Sequence, residues 1–176
     1  FTLRPERDRF WMLVRSILSQ QISTAAARTI RMRVQALVEP GNVTPGAILQ
    51  LDETALRTAG VSARKVEYLR DLATHVDNGS INLSHIGRLS DDRIISLLIE
   101  VRGIGRWTAE MFLMFALGRL DVFPVDDLGI RNAIDAHYEV ASPPSRLEMH
   151  AVAELWKPYA SVASWYCWRS LDVQSP

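Results

Sequence analysis

Apolar residues recur along the chain at the three- and four-residue spacing of helices, and the alternation typical of strands is nearly absent. The first apolar stripe, within residues 7–20, consists of Phe10, Leu13, Val14, Ile17 and Leu18. Residues suited to helix N-caps precede the later patterns, namely Ser23, Thr44, Asp52, Ser62 and Ser90. Further helical patterns cover residues 91–101, 106–117 and 126–138. The pattern predicts nine or ten short helices and an all-α fold.

Composition narrows the classes of function. With 176 residues, 48% apolar and 23% charged, the chain has the composition of a folded domain. Its longest apolar run, residues 111–117, is shorter than the roughly 20 residues of a membrane span. Cys167 is the only cysteine and the four histidines lack ligand spacing, which disfavours a disulfide, an iron–sulfur cluster and a transition-metal site. The first residue, Phe1, is not an initiator methionine, so we expect a piece of a longer chain.

The charge balance leaves nucleic acid open as a partner. The 20 basic residues equal the 20 acidic ones, giving a formal net charge of zero. This balance argues against a polycationic nucleic-acid coat. It does not exclude a local DNA-binding face, because clustering of the basic residues decides that question.

A tight turn joins two of the predicted helices. The turn contains Gly103, Ile104 and Gly105, and glycines there allow a positive φ and close approach of a partner to the backbone. Because the next helix begins at the turn, its unpaired N–H groups could bind a phosphate oxygen. The same spacing also fits an ordinary helix–helix corner with no ligand.

Two adjacent carboxylates follow an apolar segment. Asp126 and Asp127 come after residues 122–125 and stand at the start of a predicted helix. One acidic residue there is a common N-cap. Two adjacent acidic residues after an apolar segment indicate a further role, because a carboxylate among apolar neighbours needs a partner or a role in chemistry.

Residues 102–131, RGIGRWTAEMFLMFALGRLDVFPVDDLGIR, resemble the helix–hairpin–helix plus Gly/Pro…Asp motif of base-excision DNA glycosylases, the HhH-GPD superfamily. The stretch is similar to that of the 3-methyladenine DNA glycosylase II (AlkA/MAG) branch. Segments 17–23, 56–66 and 156–169 match further motifs in order, so the likeness covers residues 7–171. It implies two all-α lobes, with the active site in the cleft between them. The expected lobes are residues 25–125, including the hairpin at 98–110, and residues 1–24 with 126–176.

The resemblance assigns chemistry to particular residues. Asp127 matches the catalytic aspartate, which stabilises positive charge on the sugar and orients or deprotonates the attacking water. Asp126 is expected to be the structural N-cap, although sequence alone could exchange the two roles. Trp107 stands where bifunctional relatives carry a Schiff-base lysine, which implies a monofunctional hydrolytic enzyme.

Aromatic residues are expected to line the base pocket. Trp107 resembles an aromatic wall that stacks on the flipped base, with core packing as the alternative. Trp168 matches a second wall, and Trp165 lies three residues earlier on the same helical face. Met111 takes the place of a pocket aromatic of some relatives, which leaves the substrate range open.

The resemblance also implies DNA contacts. Gln21 stands at the position of a side chain that inserts into DNA, with Gln20 as the alternative. The expected phosphate and backbone contacts come from Gly103, Ile104, Gly105, Arg106 and Thr108. A monovalent cation could bridge carbonyls of residues 101–105 to the phosphate, and no cofactor is required.

The implied partner is double-stranded DNA containing alkylated bases such as 3-methyladenine or 7-methylguanine. The chain is expected to be a monomer without membrane contact, in the bacterial cytoplasm or nucleoid or in a eukaryotic nucleus. One alternative is a non-catalytic helix–hairpin–helix DNA-binding module, which has no need of Asp127, Trp107 and Trp168 together. A glycosylase for oxidised bases is disfavoured because the lyase lysine is missing.

Overall fold

The computed structural model describes residues 5–173, and within them the backbone forms ten α-helices and no strand. This confirms the predicted all-α fold. A short 3-10 helix, Ile86–Arg88, lies between the fifth and sixth helices. The helices are α1 (Arg9–Ser19), α2 (Thr24–Ala36), α3 (Pro45–Gln50), α4 (Glu53–Thr58), α5 (Ala63–Asp77), α6 (Asp91–Leu98), α7 (Arg106–Phe115), α8 (Leu128–His137), α9 (Arg146–Glu154) and α10 (Ala160–Val173).

The predicted helix starts are confirmed by side-chain caps. Each predicted N-cap residue accepts a hydrogen bond from a backbone N–H in the first turn of its helix: Ser23, Thr44, Asp52, Ser62 and Ser90. Two helices end earlier than the pattern predicts. α6 ends at Leu98 because the chain turns at Val101, and α7 ends at Phe115, three residues before Gly118 with its φ of +69°.

The chain divides into two compact units. The hairpin unit comprises Glu6–Phe112, and the C-terminal unit comprises the chain from Leu113 onward together with Pro5. The division falls within α7. These bounds differ from the expected lobes, because α1 packs against α2 and α5 and so belongs to the hairpin unit.

In the C-terminal unit, α8 packs against both α9 and α10. The core between these helices contains Val125, Ile130, Ala133, Ile134, Met149, Val152 and Cys167. Trp168, on α10, packs against this cluster. The packing of α8 on α10 therefore brings an indole ring to the N-terminus of α8. No helix within residues 5–173 has the length and apolar character needed to cross a membrane.

Candidate active site

Asp127 lies at the N-terminus of α8, in the C-terminal unit, and is 8% exposed. Its Oδ1 accepts a hydrogen bond from the backbone N–H of Ile130 at 2.9 Å. The same oxygen accepts a second hydrogen bond from the indole Nε1 of Trp168 at 2.8 Å. Two N–H donors on one oxygen fix the orientation of the carboxylate at the positive end of the helix dipole.

The expected role of Asp126 as the cap of this helix is wrong, because Asp127 is itself the N-cap of α8. Asp126 is exposed, and its carboxylate pairs with the guanidinium of Arg146, at the start of α9. The reason is the backbone direction. Asp127 has the extended ψ of 122° that precedes a helix, so its side chain reaches the N–H three residues ahead.

Trp168 contacts both a polar and an aromatic neighbour. Its Nε1 donates to Asp127, and its ring centroid lies 6.0 Å from that of Phe115. The indole is therefore bound to the candidate carboxylate, in addition to any role as a wall of the base pocket. Trp165 is half-buried, with the ring of Tyr166 at 5.1 Å and the guanidinium of Arg169 at 5.8 Å.

The pKa of Cys167 depends in part on the charge of Asp127. Burial, together with the smaller effect of the negative charge of Asp127, raises the pKa of the Cys167 thiol to about 11. The thiol therefore stays protonated at neutral pH, which makes it a poor nucleophile. Its position in the core of the C-terminal unit indicates a packing role.

The hairpin turn of residues 101–105 lies in the hairpin unit. The N–H of Ile104 donates to the carbonyl of Val101 at 3.1 Å, and Gly103 between them has a φ of +80°. A left-handed third residue favours glycine in such a turn. A Cβ at Gly103 would lie 2.1 Å from the ring of Tyr68, so the side chain of any other residue would also collide with α5.

The second glycine of the turn has a different role. The carbonyl of Gly105 accepts the N–H of Ala109 at 3.1 Å, which makes Gly105 the first capping residue of α7. A Cβ there would meet no described atom within 4 Å, and the φ of Gly105 is not in the left-handed region. The protein's own packing therefore does not require a glycine here, although glycine is a good N-cap and leaves the backbone open to close approach.

Not all of the expected DNA contacts are exposed. Ile104 and Thr108 are buried, and the N–H of Ile104 is already used within the turn. The first N–H groups of any α-helix have no carbonyl one turn earlier in the helix, and in α7 the N–H of Ala109 is the one that bonds to Gly105. Arg106 is exposed and its Nε donates to the buried carboxylate of Glu110 at 2.9 Å.

The two expected pocket residues of α7 differ in exposure. Trp107 is 44% exposed, which does not fit the alternative of core packing. Met111, one turn later, is buried. In the hairpin unit, the indole of Trp107 is therefore the accessible one of these two apolar groups.

Gln20 and Gln21 lie in different environments within the hairpin unit. The amide of Gln20 donates to the carbonyl of Gly103 at 2.8 Å, which ties it to the hairpin turn. Gln21 is exposed and has a φ of +56°, a left-handed conformation that costs about 1–2 kcal/mol for a residue with a side chain. Of the two, Gln21 has the side chain presented at the surface.

Lys65, on α5, stabilises the turn between α1 and α2, which contains Gln20 and Gln21. Its Nζ donates to the carbonyl of Leu18 at 2.8 Å and to that of Gln20 at 2.7 Å. Burial lowers the pKa of this lysine. Tyr68, three residues later on α5, lies against Gly103. Asp71, three residues after Tyr68, accepts a hydrogen bond from the backbone N–H of Arg102 at 2.8 Å. One face of α5 therefore holds both the hairpin turn and the turn that carries Gln21.

We expect Lys65→Met to lower the free energy of unfolding by about 1.5–3 kcal/mol, because it removes charged hydrogen bonds to backbone carbonyls. Lys157→Met is the matched control. The ammonium of Lys157 pairs with Glu154 at the surface, where solvent screens the ion pair, so we expect little change in stability. Urea unfolding followed by circular dichroism measures both variants. Equal losses would contradict the bracing role of Lys65.

The carbonyl oxygens of the hairpin turn decide whether it can hold the expected monovalent cation. The carbonyl of Val101 accepts the N–H of Ile104, and that of Gly103 accepts the amide of Gln20. Each carbonyl oxygen has a second lone pair, so the turn fits a cation only through these remaining acceptors. The cation stays a prediction, and the chemistry of Asp127 does not depend on it.

Sequence reasoning missed several residues around these sites. Tyr68, Asp71 and Lys65 lie three residues apart on α5, and that spacing on one helix face was the available signal. Gly129 lies against Trp168, and its signal was a glycine in the first turn of the helix predicted over residues 126–138. The pairing of Arg146 with Asp126 had no signal in the sequence.

Comparisons with known proteins agree with this architecture. Residues 14–158 match the family described as HhH-GPD superfamily base excision DNA repair protein. The protein YfjP of Bacillus subtilis is 37% identical over 166 residues, which cover 91% of this chain and 58% of YfjP. This chain therefore spans little more than half the length of that relative.

Two solved structures are similar over nearly the whole chain. The DNA-3-methyladenine glycosidase of Bacillus halodurans gives a TM-score of 0.86 at 38% identity, covering 97% of this chain and 78% of that one. The 3-methyladenine DNA glycosylase Mag1 of Schizosaccharomyces pombe, in complex with abasic DNA, gives 0.81 at 34% identity, covering 96% and 85%.

Proposed function

Because the chain belongs to the HhH-GPD superfamily of base excision DNA repair proteins, we propose that it is a monofunctional DNA glycosylase that hydrolytically excises alkylated bases. The observation that carries this proposal is the buried carboxylate of Asp127, fixed by two N–H donors at the start of α8. The similar proteins named as 3-methyladenine glycosylases support the choice of substrate class.

The chemistry follows from the carboxylate. Breaking the N-glycosidic bond leaves positive charge on the sugar, and a fixed negative charge stabilises that transition state without reorganising. Asp127 also orients the attacking water and accepts its proton. An alkylated base already carries positive charge or is electron-poor, so it leaves without a strong general acid.

An exposed aromatic side chain recognises the base. The exposed indole of Trp107 stacks on the extruded base, and the electron-poor ring of an alkylated purine strengthens that contact by about 0.5–2 kcal/mol. Extrusion is needed because the bond to be cut is not accessible inside the duplex. Gln21, exposed and left-handed, fills the gap in the base stack.

The hairpin turn positions the DNA. Backbone N–H groups at Gly105 and the first turn of α7 hold one phosphate, a contact that carries no sequence information. The ion pair of Asp126 and Arg146 is not part of this contact in our proposal. A single chain carries all of these groups, and we propose that it acts as a monomer.

A base-release assay tests the function. Duplexes containing one 3-methyladenine, 7-methylguanine or 8-oxoguanine, and an undamaged duplex, are incubated with the protein and the released bases are separated by chromatography. We expect release of the alkylated bases and none from the undamaged duplex. Binding of all four duplexes without release would identify a non-catalytic DNA-binding module, and release of 8-oxoguanine alone would overturn the substrate class.

We expect the protein to leave intact abasic sites and to form no covalent adduct when borohydride is added during the reaction. The reason is that Trp107 replaces the lyase lysine, while Nζ of Lys65 is held by two backbone carbonyls. Gel analysis of the products, before and after alkali, measures strand cleavage. Efficient trapping that disappears in Lys65→Met or Lys157→Met would contradict the monofunctional mechanism and identify the amine responsible.

A further inference from the structure

Gly129 occupies the second position of α8, directly after Leu128, and has an ordinary, not left-handed, φ. Glycine in a helix is less favourable than alanine by about 0.5–1 kcal/mol, because it loses more backbone entropy on folding. The backbone conformation therefore gives no reason for this glycine. A reason must come from what surrounds it.

The space above Gly129 is occupied by the contact between Trp168 and Asp127. A Cβ at residue 129 would lie 2.9 Å from Cδ1 of Trp168, 3.1 Å from Oδ1 of Asp127 and 3.2 Å from Nε1 of Trp168. The first of these distances is shorter than carbon atoms tolerate. The hydrogen bond from the indole to the carboxylate thus passes over the bare backbone of Gly129.

Both partners of this hydrogen bond are held by further contacts. Oδ1 of Asp127 also accepts the N–H of Ile130, so the carboxylate is fixed to the helix start. The indole of Trp168 packs against Phe115 and the core of the C-terminal unit. An added methyl group at residue 129 must therefore shift the indole or the carboxylate, which changes the geometry of the hydrogen bond between them.

We propose that Gly129 and Trp168 are positioning residues for Asp127: the missing side chain of Gly129 admits the indole, whose N–H sets the orientation of the carboxylate. This inference rests on the proposed function, because it concerns the geometry of the same carboxylate. It adds to the expected role of Trp168 as a wall of the base pocket. A catalytic group misplaced by as much as about 1 Å can lose about a hundredfold in rate.

Gly129→Ala tests this role, with Gly46→Ala as a matched control. Gly46 is the second residue of α3, and a Cβ there would meet no described atom within 4 Å. Both substitutions favour the helix, so neither is expected to unfold the protein. We expect Gly129→Ala to lower the single-turnover rate of 3-methyladenine release about a hundredfold with little change in DNA affinity. Gly46→Ala is expected to match the wild type.

A double-mutant cycle separates the indole from other consequences of the methyl group. Trp168→Phe keeps an aromatic ring but removes the N–H, and leaves the backbone at Gly129 untouched. It is expected to slow excision by itself. In the Trp168→Phe background, Gly129→Ala should cause less than about a threefold further loss, because the contact it disrupts is already gone. Independent effects that multiply to the full product would overturn the inference.

The indole N–H gives a readout that does not depend on activity. Its resonance in a proton–nitrogen correlation spectrum is identified by its absence from Trp168→Phe. We expect the resonance to shift in Gly129→Ala and to exchange faster with solvent, and to stay unchanged in Gly46→Ala. An unchanged resonance with a wild-type rate in Gly129→Ala, or a wild-type rate in Trp168→Phe, would overturn the inference. Wild-type protein that releases no alkylated base would instead overturn the proposed function.

Discussion

Asp127→Asn is expected to reduce the single-turnover rate of alkylated-base release by about 10²–10⁴-fold, the contribution typical of a catalytic acid or base. The substitution removes the negative charge but almost no volume. Asparagine is as good an N-cap as aspartate, and its carbonyl oxygen can still accept the N–H groups of Ile130 and Trp168. The variant should therefore fold and bind lesion DNA as the wild type does, which separates chemistry from binding.

Asp126→Asn is the matched control for this experiment. Asp126 is adjacent in the chain but exposed, and its carboxylate pairs with Arg146. We expect near-wild-type excision, because the ion pair lies at the surface. Loss of activity in Asp126→Asn with retention in Asp127→Asn would reverse the assignment. Retention in both would contradict the mechanism.

Cys167 provides a second measurement on the same variants. The charge of Asp127 contributes to raising the pKa of the thiol, so removing that charge lowers the pKa from its value of about 11. The thiolate fraction at pH 9 then rises, and Cys167 should react faster with a small thiol reagent in Asp127→Asn than in the wild type. Asp126→Asn should leave the rate unchanged.

Local signals in the sequence predicted most of the fold. Serine, threonine and aspartate N-caps marked the starts of five helices, because a side chain that caps a helix must stand immediately before it. The position of Asp127 was likewise available from the sequence, since a fixed motif surrounds it. The cap role expected of Asp126 shows the limit: which of two adjacent carboxylates caps the helix depends on backbone ψ.

Contacts between distant parts of the chain were not predictable. Gln20 reaches Gly103 across 83 residues, and Trp168 reaches Asp127 across 41. No periodicity or capping rule connects such pairs, because each depends on how helices pack. The role of Gly129 depends on the second of these contacts, and therefore could not be separated from that of any other glycine in a helix.

The two glycines of the hairpin turn are favoured for different physical reasons, and the structure changes the effect expected from a substitution at each. The sequence predicts a positive φ and close approach for Gly103 and Gly105 alike, so a side chain at Gly105 would be expected to strain the turn. The structure places the strain at Gly103 instead, where φ is +80° and a Cβ would lie 2.1 Å from the ring of Tyr68. At Gly105 there is space for a Cβ, so a side chain there interferes only with something that approaches from outside.

Gly105→Ala is therefore expected to weaken DNA binding at least about tenfold while costing at most about 1 kcal/mol of stability, alanine being a weaker N-cap than glycine. Gly103→Ala should instead lower the free energy of unfolding by about 2–4 kcal/mol, from a strained φ and an overpacked contact with Tyr68. Fluorescence anisotropy at one fixed salt concentration measures affinity for lesion and undamaged duplexes. Because a phosphate contact carries no sequence information, Gly105→Ala should weaken both duplexes by the same factor. Wild-type affinity of Gly105→Ala for both duplexes would mean that the hairpin turn only joins two helices and does not contact DNA. A loss of affinity confined to the lesion duplex would place Gly105 against the extruded base rather than the phosphate.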